Sequence, residues 1–250
     1  MTIYDHVSAP APRFLLRLAL ISELLDRCPV PRRYAEIGPG RGDLALHLAD
    51  HWPDAEGLLL DFSAAAAASL KQRIGSRAHL TVHHGDLADG LPGAALDLVV
   101  ACEVFEHVAD DHGAFERIAS ALAPQGRLLL SVPAFMRKWQ QADAAAGHVR
   151  RYERAELTDK LTGAGMAIEA FWCYGFPLIN LLYPLRQLYY KRPLGADARS
   201  ATEASGMERG FIARLPVGPM RLLLAPFVWA QRQTLERDWG DGFLVLARRR

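Results

Sequence analysis

The stretch YAEIGPGRGD, residues 34–43, decides how this chain of 250 residues is interpreted. Its first residues are mostly apolar and predict a buried strand, and a helical pattern begins at Asp43. Three glycines, Gly38, Gly40 and Gly42, lie between these two elements. Glycine lets the backbone turn sharply and approach a ligand closely, and the N-terminus of the following helix carries partial positive charge. The stretch therefore predicts a ligand-binding loop between a strand and a helix.

Strand-like and helix-like segments alternate on both sides of this loop. The predicted strands are 34–37, 57–60, 80–83, 96–101, 127–132, 167–173 and 242–247, and the predicted helices are 11–27, 43–50, 63–74, 103–122 and 153–162. Several strands are continuously apolar, which is typical of a parallel sheet covered on both faces. We therefore expect an α/β fold with a doubly wound sheet and helices on both faces.

The composition favours a folded protein with two unlike parts. Half of the residues are hydrophobic and 23% are charged, which is enough apolar material for a core. Residues 1–175 contain 17 Lys or Arg against 22 Asp or Glu, a net charge of −5, whereas residues 176–250 contain 12 against 6, a net charge of +6. Three scattered cysteines argue against a disulfide scaffold, and the sequence shows no signal-peptide pattern or long uncharged apolar run. We expect a cytoplasmic protein.

The residues around the glycine loop suit a nucleoside better than a pyrophosphate. A dinucleotide-binding loop has the pattern GxGxxG, whereas this loop reads GxGxG, with Asp43 where the third glycine belongs. Asp61 ends the second strand, where an acid accepts hydrogen bonds from ribose hydroxyls. Asp86 follows the third strand and suits an adenine amino group. The alternatives at this stage are an ordinary tight turn at the loop, a helix cap at Asp61 and a surface turn at Asp86.

Together, EIGPGRG, the strand that ends in Asp61, GDL at 85–87 and LDLVVACE at 96–103 resemble the class I S-adenosylmethionine-dependent methyltransferases in order and spacing. The resemblance covers about residues 30–175 and a last strand near the C-terminus. It implies a Rossmann-like sheet of seven strands, with the last strand antiparallel between the fifth and sixth. It also implies S-adenosylmethionine as the cofactor. The cofactor-binding residues expected from it are Glu36, Gly38, Gly40, Gly42, Asp61, Phe62, Asp86, Leu87, Cys102 and Glu103.

The segment EVFEHVAD, residues 103–110, places Glu103, Glu106 and His107 at helical spacing. Residues so spaced share one face of a helix, and two carboxylates and an imidazole suit a divalent ion. Many methyltransferases that this chain resembles carry the same pattern without a metal. In small-RNA 3′-end methyltransferases and some ubiquinone-pathway O-methyltransferases, the pattern binds Mg²⁺ or Mn²⁺. In the RNA enzymes a later histidine completes the site, and His148 would be that ligand in this chain. Both alternatives stay open here.

In methyl transfer the main contributions of the protein are to align the reactants and to remove one proton. Imidazole accepts a hydroxyl proton near neutral pH, so His107 and His148 are the candidate catalytic bases. Arg150 and Arg151 are candidates for holding a substrate carboxylate or phosphate, with a solvated helix start as the alternative. The patterns ExxEH and GHxRRY resemble those of ubiquinone-biosynthesis O-methyltransferases. They favour O-methylation of a small, hydrophobic or lipid-like hydroxylated acceptor.

Two other functions compete with this one. The first is an RNA 3′-end methyltransferase, which the acidic charge of residues 1–175 disfavours because it would repel phosphates. The second is a non-catalytic, cofactor-binding adaptor at a membrane surface. An intact glycine loop with both acids, Asp61 and Asp86, speaks against a protein that has lost its activity. The sequence does not indicate an oligomeric state.

A long insert separates the last two predicted strands, where the family usually has a short hairpin. Residues 176–190 and 215–230 are apolar and aromatic with one charge each, whereas 193–210 are polar and predict a loop. Pro177 and Pro184 predict that the first apolar stretch is broken into short pieces. The insert is expected to be a lid over the acceptor or a surface that contacts an anionic membrane, and the two are compatible. The predicted divisions are an N-terminal helix at 1–29, the methyltransferase domain at 30–175 and 241–250, and the helical insert at 176–240.

Overall fold

A single mixed sheet organises the computed structural model, which describes residues 2–8, 10–93, 95–189 and 216–250. Its strands are β1 (Arg33–Ile37), β2 (Glu56–Asp61), β3 (Leu80–His84), β4 (Leu96–Cys102), β5 (Leu122–Pro133), β6 (Met166–Tyr174) and β7 (Gly242–Arg249). The order across the sheet is β3-β2-β1-β4-β5-β7-β6, and only β7 runs antiparallel to its neighbours. This confirms the Rossmann-like sheet with its antiparallel last strand between the fifth and sixth.

Helices cover both faces of the sheet. The described ranges contain eight α-helices, which are α1 (Pro12–Leu25), α2 (Asp43–His51), α3 (Ala64–Ile74), α4 (Asp111–Ala121), α5 (Gln141–Ala145), α6 (Arg154–Gly163), α7 (Leu178–Tyr189) and α8 (Val217–Arg232). Side chains of α1, α2, α3 and α8 pack into one hydrophobic core, and those of α4 and α6 into the other. Ser63 caps α3, because its hydroxyl accepts a hydrogen bond from Ala66 N at 3.2 Å.

The segment after β4 is not the continuous helix that its spacing predicts. Glu103 has φ +57°, in the left-handed region, and residues 105–107 form a single 3₁₀ turn. The next α-helix begins only at Asp111, where the Asp110 side chain accepts a hydrogen bond from Gly113 N at 3.0 Å. Because this strong N-cap starts the helix late, Glu103 and Glu106 do not share a helix face, and that prediction was wrong.

The insert is helical in its described parts, and its helices are longer than its prolines predict. The helix α7 passes through Pro184 and the helix α8 through Pro226, so the prediction of short pieces was wrong. A proline inside a helix costs about 3 kcal/mol. In α8, the burial of Met220 and Leu224 against α1 offsets this cost. The loop predicted at 193–210 lies outside the described residues.

None of the helices within the described ranges combines the length and the apolar character that crossing a bilayer requires.

Candidate functional site

The glycine loop joins β1 to α2 as predicted, and its backbone needs glycine. All three glycines have positive φ, at +65° for Gly38, +51° for Gly40 and +76° for Gly42. A Cβ added at Gly38 would lie 2.8 Å from Cγ2 of Val104, which is closer than real side chains approach. The loop therefore combines a left-handed backbone with close packing, and it leaves its amides at the start of α2.

The two predicted acids lie at the carboxyl ends of neighbouring strands. Asp61 is buried at the end of β2, where its carboxylate accepts hydrogen bonds from Gly40 N at 3.1 Å and Ser63 N at 2.9 Å. Asp86 follows β3, is exposed, and accepts a hydrogen bond from Ala88 N at 2.9 Å. Asp61 is therefore fixed directly against the glycine loop, whereas one oxygen of Asp86 caps the short turn that follows it.

A cleft of about 540 Å³ opens at the carboxyl ends of β1, β2 and β4. Ligands of open α/β sheets bind at this edge. Seven of the predicted cofactor residues line the cleft, namely Gly38, Gly40, Asp61, Phe62, Asp86, Leu87 and Glu103. His107 lines it as well. The structure thus gathers residues that are distant in the sequence around one elongated space.

A second cavity of about 370 Å³ lies between α1 and the glycine loop. Its lining includes Gly38, Gly40, Glu103 and His107, which it shares with the first cleft. The helix α1 contributes Arg13, Phe14, Arg17, Leu18 and Ile21, and the opposite wall includes Glu36, Cys102, Glu106 and His148. Within the described residues, α1 and not the insert lines this cavity. Gly42 lies outside both linings, at the start of α2.

Glu103 is held by four groups at the junction of the two cavities. It forms ion pairs with Arg13 and with Arg17, whose Nη1 lies 2.9 Å from Oε1. Its Oε1 also accepts hydrogen bonds from the Ser131 hydroxyl at 3.0 Å and the Tyr174 hydroxyl at 3.2 Å. Burial alone would raise the pKa of Glu103, but the two guanidinium groups hold it well below the usual range. This carboxylate is charged and fully engaged.

The arginines of α1 were not singled out by the sequence. Arg13 and Arg17 lie four positions apart on a helix whose other charged residue is Glu23, and this spacing places both on the face that meets Glu103. Two arginines on a buried helix face indicate a buried acidic partner, since such a face rarely carries two charges without one. The partner lies 90 residues away in the chain and belongs to no local pattern.

Glu106 is the most isolated acid of the site. It is fully buried, and neither carboxyl oxygen has a hydrogen-bond partner in the described part of the chain. Burial and the charge of Glu103 raise the pKa of Glu106 well above its usual value. Glu36, on the same cavity wall, resembles it, because burial and then the neighbouring Asp43 and Asp61 raise the pKa of Glu36 to about 8. In the free protein both carboxyls therefore favour the protonated form at neutral pH.

The two candidate bases lie next to each other. The rings of His107 and His148 meet edge to face, with 4.8 Å between their centroids. His107 Nδ1 lies 3.2 Å from the carbonyl oxygen of Gly147. Burial, and then the neighbouring His148, lower the pKa of His107 to about 4, so this ring is neutral at pH 7. The structure therefore brings together the two histidines that the sequence proposed.

Three of the four predicted metal ligands converge, and Glu103 does not join them. Ligand atoms of Glu106, His107 and His148 lie within 4.8 Å of one another. The Glu103 carboxylate is instead paired with Arg13 and Arg17, which line the same cavity. Two guanidinium groups that line the same cavity as the three donors disfavour a dication electrostatically. These three side chains could bind a divalent metal ion, but the positive charges around them disfavour it.

The arginines that follow His148 are engaged within the protein. Arg150 Nη1 lies 2.8 Å from Asp111 Oδ2. Arg151 is buried and pairs with Asp143 at 2.9 Å and with Asp241 at 3.0 Å. Neither arginine lines the two cavities. These contacts support a structural role for both residues.

Residues 11–170 match the family model described as a methyltransferase domain. This chain belongs to the methyltransferase domain family. The trans-aconitate 2-methyltransferase of Acidovorax sp. (strain JS42) is 34% identical to this methyltransferase-family chain over 113 residues, which cover 44% of the chain and 43% of the relative. A "Probable S-adenosylmethionine-dependent methyltransferase" of Mycolicibacterium smegmatis is 32% identical over 149 residues, which cover 58% and 56%. The chain spans about half the length of these curated relatives.

Solved structures place this methyltransferase-family chain in the class I fold. An S-adenosylmethionine dependent methyltransferase from Mesorhizobium loti superposes with a TM-score of 0.60 at 18% identity, covering 92% of this chain and 98% of the other. The N-methyltransferase NodS from Bradyrhizobium japonicum, solved with S-adenosyl-L-homocysteine, gives a TM-score of 0.55 at 18% identity, covering 95% and 86%. At such identities the likeness shows the fold alone. It confirms the class I architecture that the sequence resemblance implied.

Proposed function

We propose that this chain binds S-adenosylmethionine in the first cleft and methylates an oxygen of a small, hydrophobic acceptor in the second cavity. The observation that carries this proposal is the junction of the two spaces. Gly38, Gly40, Glu103 and His107 line both of them, so a cofactor in one can meet an acceptor in the other. Spaces of about 540 Å³ and 370 Å³ suit a nucleoside cofactor and a small molecule.

The cleft residues suit the proposed cofactor. Gly38 leaves no room for a side chain beside Val104, as expected where a loop must pass closely under a ligand. Asp61 would accept hydrogen bonds from the ribose hydroxyls, and Asp86 from the adenine amino group. The side chain of Phe62 would contact the base. When bound, S-adenosylmethionine supplies a methyl group that its positively charged sulfur has already activated.

His107 and His148 are the proposed proton acceptors for the acceptor hydroxyl. Both line the second cavity, and His107 is neutral at pH 7, as a base must be before it takes a proton. We propose that they act without Mg²⁺ or Mn²⁺. The reason is electrostatic, since Arg13 and Arg17 line the cavity and form ion pairs with Glu103, the remaining predicted ligand.

The acceptor cavity favours an apolar ligand on one wall. Phe14, Leu18 and Ile21 of α1 line that wall beside Arg13 and Arg17, while the acids and the histidines lie on the opposite wall. Binding sites for small molecules commonly combine an apolar lining with a few placed polar groups. This arrangement supports the hydrophobic, hydroxylated acceptor, of the kind used by ubiquinone-biosynthesis O-methyltransferases, that the sequence suggested.

We also propose that the insert lets the protein reach such an acceptor at an anionic membrane. The helix α8 buries Met220 and Leu224 but leaves Leu222, Leu223 and Trp229 between 66% and 79% exposed. Exposed apolar side chains in such a group commonly mark an interaction surface. The net charge of +6 over residues 176–250 would favour anionic lipid.

A carboxylate acceptor is the second candidate, and a specific observation favours it. Arg13 Nη2 and Arg17 Nε are buried and have no hydrogen-bond partner among the described residues. Guanidinium groups bind carboxylates well, and relatives are named for methylation of trans-aconitate. RNA is less favoured, because the acids Asp61, Asp86 and Asp110 line the cleft and would repel phosphates.

The test supplies methyl-labelled S-adenosylmethionine with three acceptor sets, namely hydrophobic phenols, small polycarboxylic acids and short RNA. Mass spectrometry then identifies the products. The proposal expects methyl ethers of phenols, and their formation should fall in His107→Gln and His148→Gln variants that still bind S-adenosylhomocysteine. If only methyl esters form, the acceptor is a carboxylate, the second candidate, and not a hydrophobic hydroxyl compound. Labelled RNA, or no product from any set, would contradict the proposed small-molecule function.

A further inference from the structure

Asp143 lies beside His148 and lines neither cavity. This carboxylate is 1% exposed, and its Oδ1 lies 3.3 Å from His148 Nδ1, although the geometry of this contact leaves the buried Nδ1 without a hydrogen-bond partner among the described residues. The other ring nitrogen of His148, Nε2, lies 3.9 Å from Oε1 of Glu106, which lines the second cavity. The two nitrogens of one ring thus face different groups, since Nδ1 faces Asp143 and Nε2 faces the carboxyl of Glu106 on the wall of the second cavity.

Other contacts fix the position of Asp143. Its Oδ1 also accepts a hydrogen bond from Arg151 Nη2 at 2.9 Å, and its Oδ2 from Gln140 N at 2.7 Å. Arg151 is itself held by Asp241 at 3.0 Å. Burial alone would raise the pKa of Asp143, but the contacts with His148 and Arg151 hold it well below the usual range. The group beside Nδ1 is therefore a fixed, charged acceptor of hydrogen bonds.

The neighbouring histidine lacks this arrangement. His107 Nδ1 faces the backbone carbonyl oxygen of Gly147, which is neutral. A carboxylate accepts a stronger hydrogen bond than a carbonyl and stabilises the positive ring that forms when the opposite nitrogen takes a proton. Of the two candidate bases, His148 is therefore the one whose surroundings are built for proton transfer.

We propose that Asp143 is the positioning residue for His148. A small rotation of the ring makes Asp143 the acceptor of a hydrogen bond from Nδ1–H, and this favours the tautomer whose Nε2 carries a lone pair directed toward the acceptor cavity. This rests on the proposed function, in which the acceptor O–H bond breaks and its proton moves to Nε2. Sequence patterns do not reveal this role, because Asp143 lies in a short helix outside both motifs of the site.

The test reads the tautomer directly and needs no acceptor. Proton–nitrogen correlation spectra of ¹⁵N-histidine-labelled protein at neutral pH distinguish the two tautomers, and the His148→Gln spectrum identifies the His148 signals. The parent should show His148 protonated at Nδ1. Asp143→Ala should move His148 toward the Nε2-protonated form, which free imidazole side chains prefer, whereas the exposed Asp159→Ala on α6 should leave the signals unchanged.

Folding is checked on the same samples by titration with S-adenosylhomocysteine. If Asp143→Ala does not fold, Asp143→Asn replaces it, since its amide oxygen can satisfy one of the original donors and its NH₂ group misplaces a donor. Nε2-protonated His148 in the parent, or the same tautomer in the parent and a folded Asp143 variant, would overturn the proposal. These outcomes do not depend on methyl transfer, so a missing acceptor activity would count against the proposed function alone.

Discussion

Arg13 and Glu103 form an ion pair that ties the N-terminal helix α1 to the end of β4. Arg13 Nε also lies 3.2 Å from Asp241 at the start of β7. Through these contacts one guanidinium group joins three elements that are distant in the sequence. Because α1 lines the second cavity, the ion pair also fixes the position of the wall that α1 forms.

This ion pair should contribute measurably to stability. Glu103→Gln would leave Arg17 without its counter-charge and Arg13 with Asp241 alone, and it should cost about 3 kcal/mol, the low end for buried pairs, because the side chains keep some exposure. Arg13→Met should cost less, since Glu103 retains Arg17. Urea denaturation of both variants and of the double variant forms a cycle in which the double variant should cost clearly less than the sum. Costs that add within about 0.5 kcal/mol would show that the pair is not coupled.

Glu36 should make the free protein less stable as the pH rises. Its pKa is raised to about 8 by burial and by Asp43 and Asp61, whereas an unfolded glutamate titrates near 4.3. Between those values the folded state holds the extra proton, so the free energy of unfolding falls with rising pH. Glu36→Gln removes this titration.

The unfolding free energies of the parent and of Glu36→Gln are therefore compared at about pH 5 and pH 8.5 by urea denaturation. The free energy of unfolding of Glu36→Gln minus that of the parent should increase by about 2 kcal/mol or more from pH 5 to pH 8.5. Contributions from other groups, such as the buried His47, are common to both proteins and cancel in this difference. An equal difference at the two pH values would contradict the raised pKa.

Methyl transfer should survive removal of divalent metal. Activity is measured with the acceptor found above, after dialysis against EDTA and again after addition of Mg²⁺ or Mn²⁺. We expect less than a twofold change at each step, roughly 0.4 kcal/mol, because Arg13 and Arg17 oppose a dication in this cavity. Loss of activity in EDTA with recovery on adding Mn²⁺ would instead make Glu106, His107 and His148 metal ligands.

The exposed face of α8 should bind anionic vesicles. Co-sedimentation should be stronger with vesicles containing phosphatidylglycerol than with phosphatidylcholine alone, and it should weaken in high salt. The double variant Leu222→Ser, Leu223→Ser should bind less. Val30→Ser is the matched control, because Val30 is equally exposed but lies outside the insert. Equal binding by all three proteins, or none by the parent at low salt, would remove the membrane proposal.

Deletion of the insert is a poorer test than these point variants. The Gln231 side chain donates a hydrogen bond to Leu16 O at 2.9 Å and accepts one from Gly175 N at 3.2 Å. The helix α8 thus helps to complete the core around α1. Removing it would disturb the wall of the acceptor cavity as well as the exposed surface.

The sheet could be predicted from the sequence because the signals for it lie within single strands and within one loop. Apolar strands such as 96–101 and 127–132 are buried on both faces, and glycines at 38, 40 and 42 supply backbone angles that other residues adopt poorly. The first cleft followed from the same reasoning, since parallel strands present their carboxyl ends at one edge.

Residues whose roles depend on distant partners could not be predicted in this way. Helical spacing placed Glu103 on one face with Glu106, but the left-handed backbone at Glu103 and the cap at Asp110 separate them. Arg13 meets an acid 90 positions away, and nothing in the periodicity of α1 identifies that acid. Asp143 resembles an ordinary cap of a short helix until its contact with His148 is seen.

Calorimetric titration with S-adenosylhomocysteine tests most directly whether the cleft binds S-adenosylmethionine through Asp61. The parent should bind at one site per chain. Asp61→Ala should bind about 2 kcal/mol more weakly, close to a thirtyfold loss, because hydrogen bonds from the ribose to a charged group disappear. The exposed Asp54→Ala should bind like the parent. Equal affinity of Asp61→Ala and the parent, or no binding by the parent, would contradict the account.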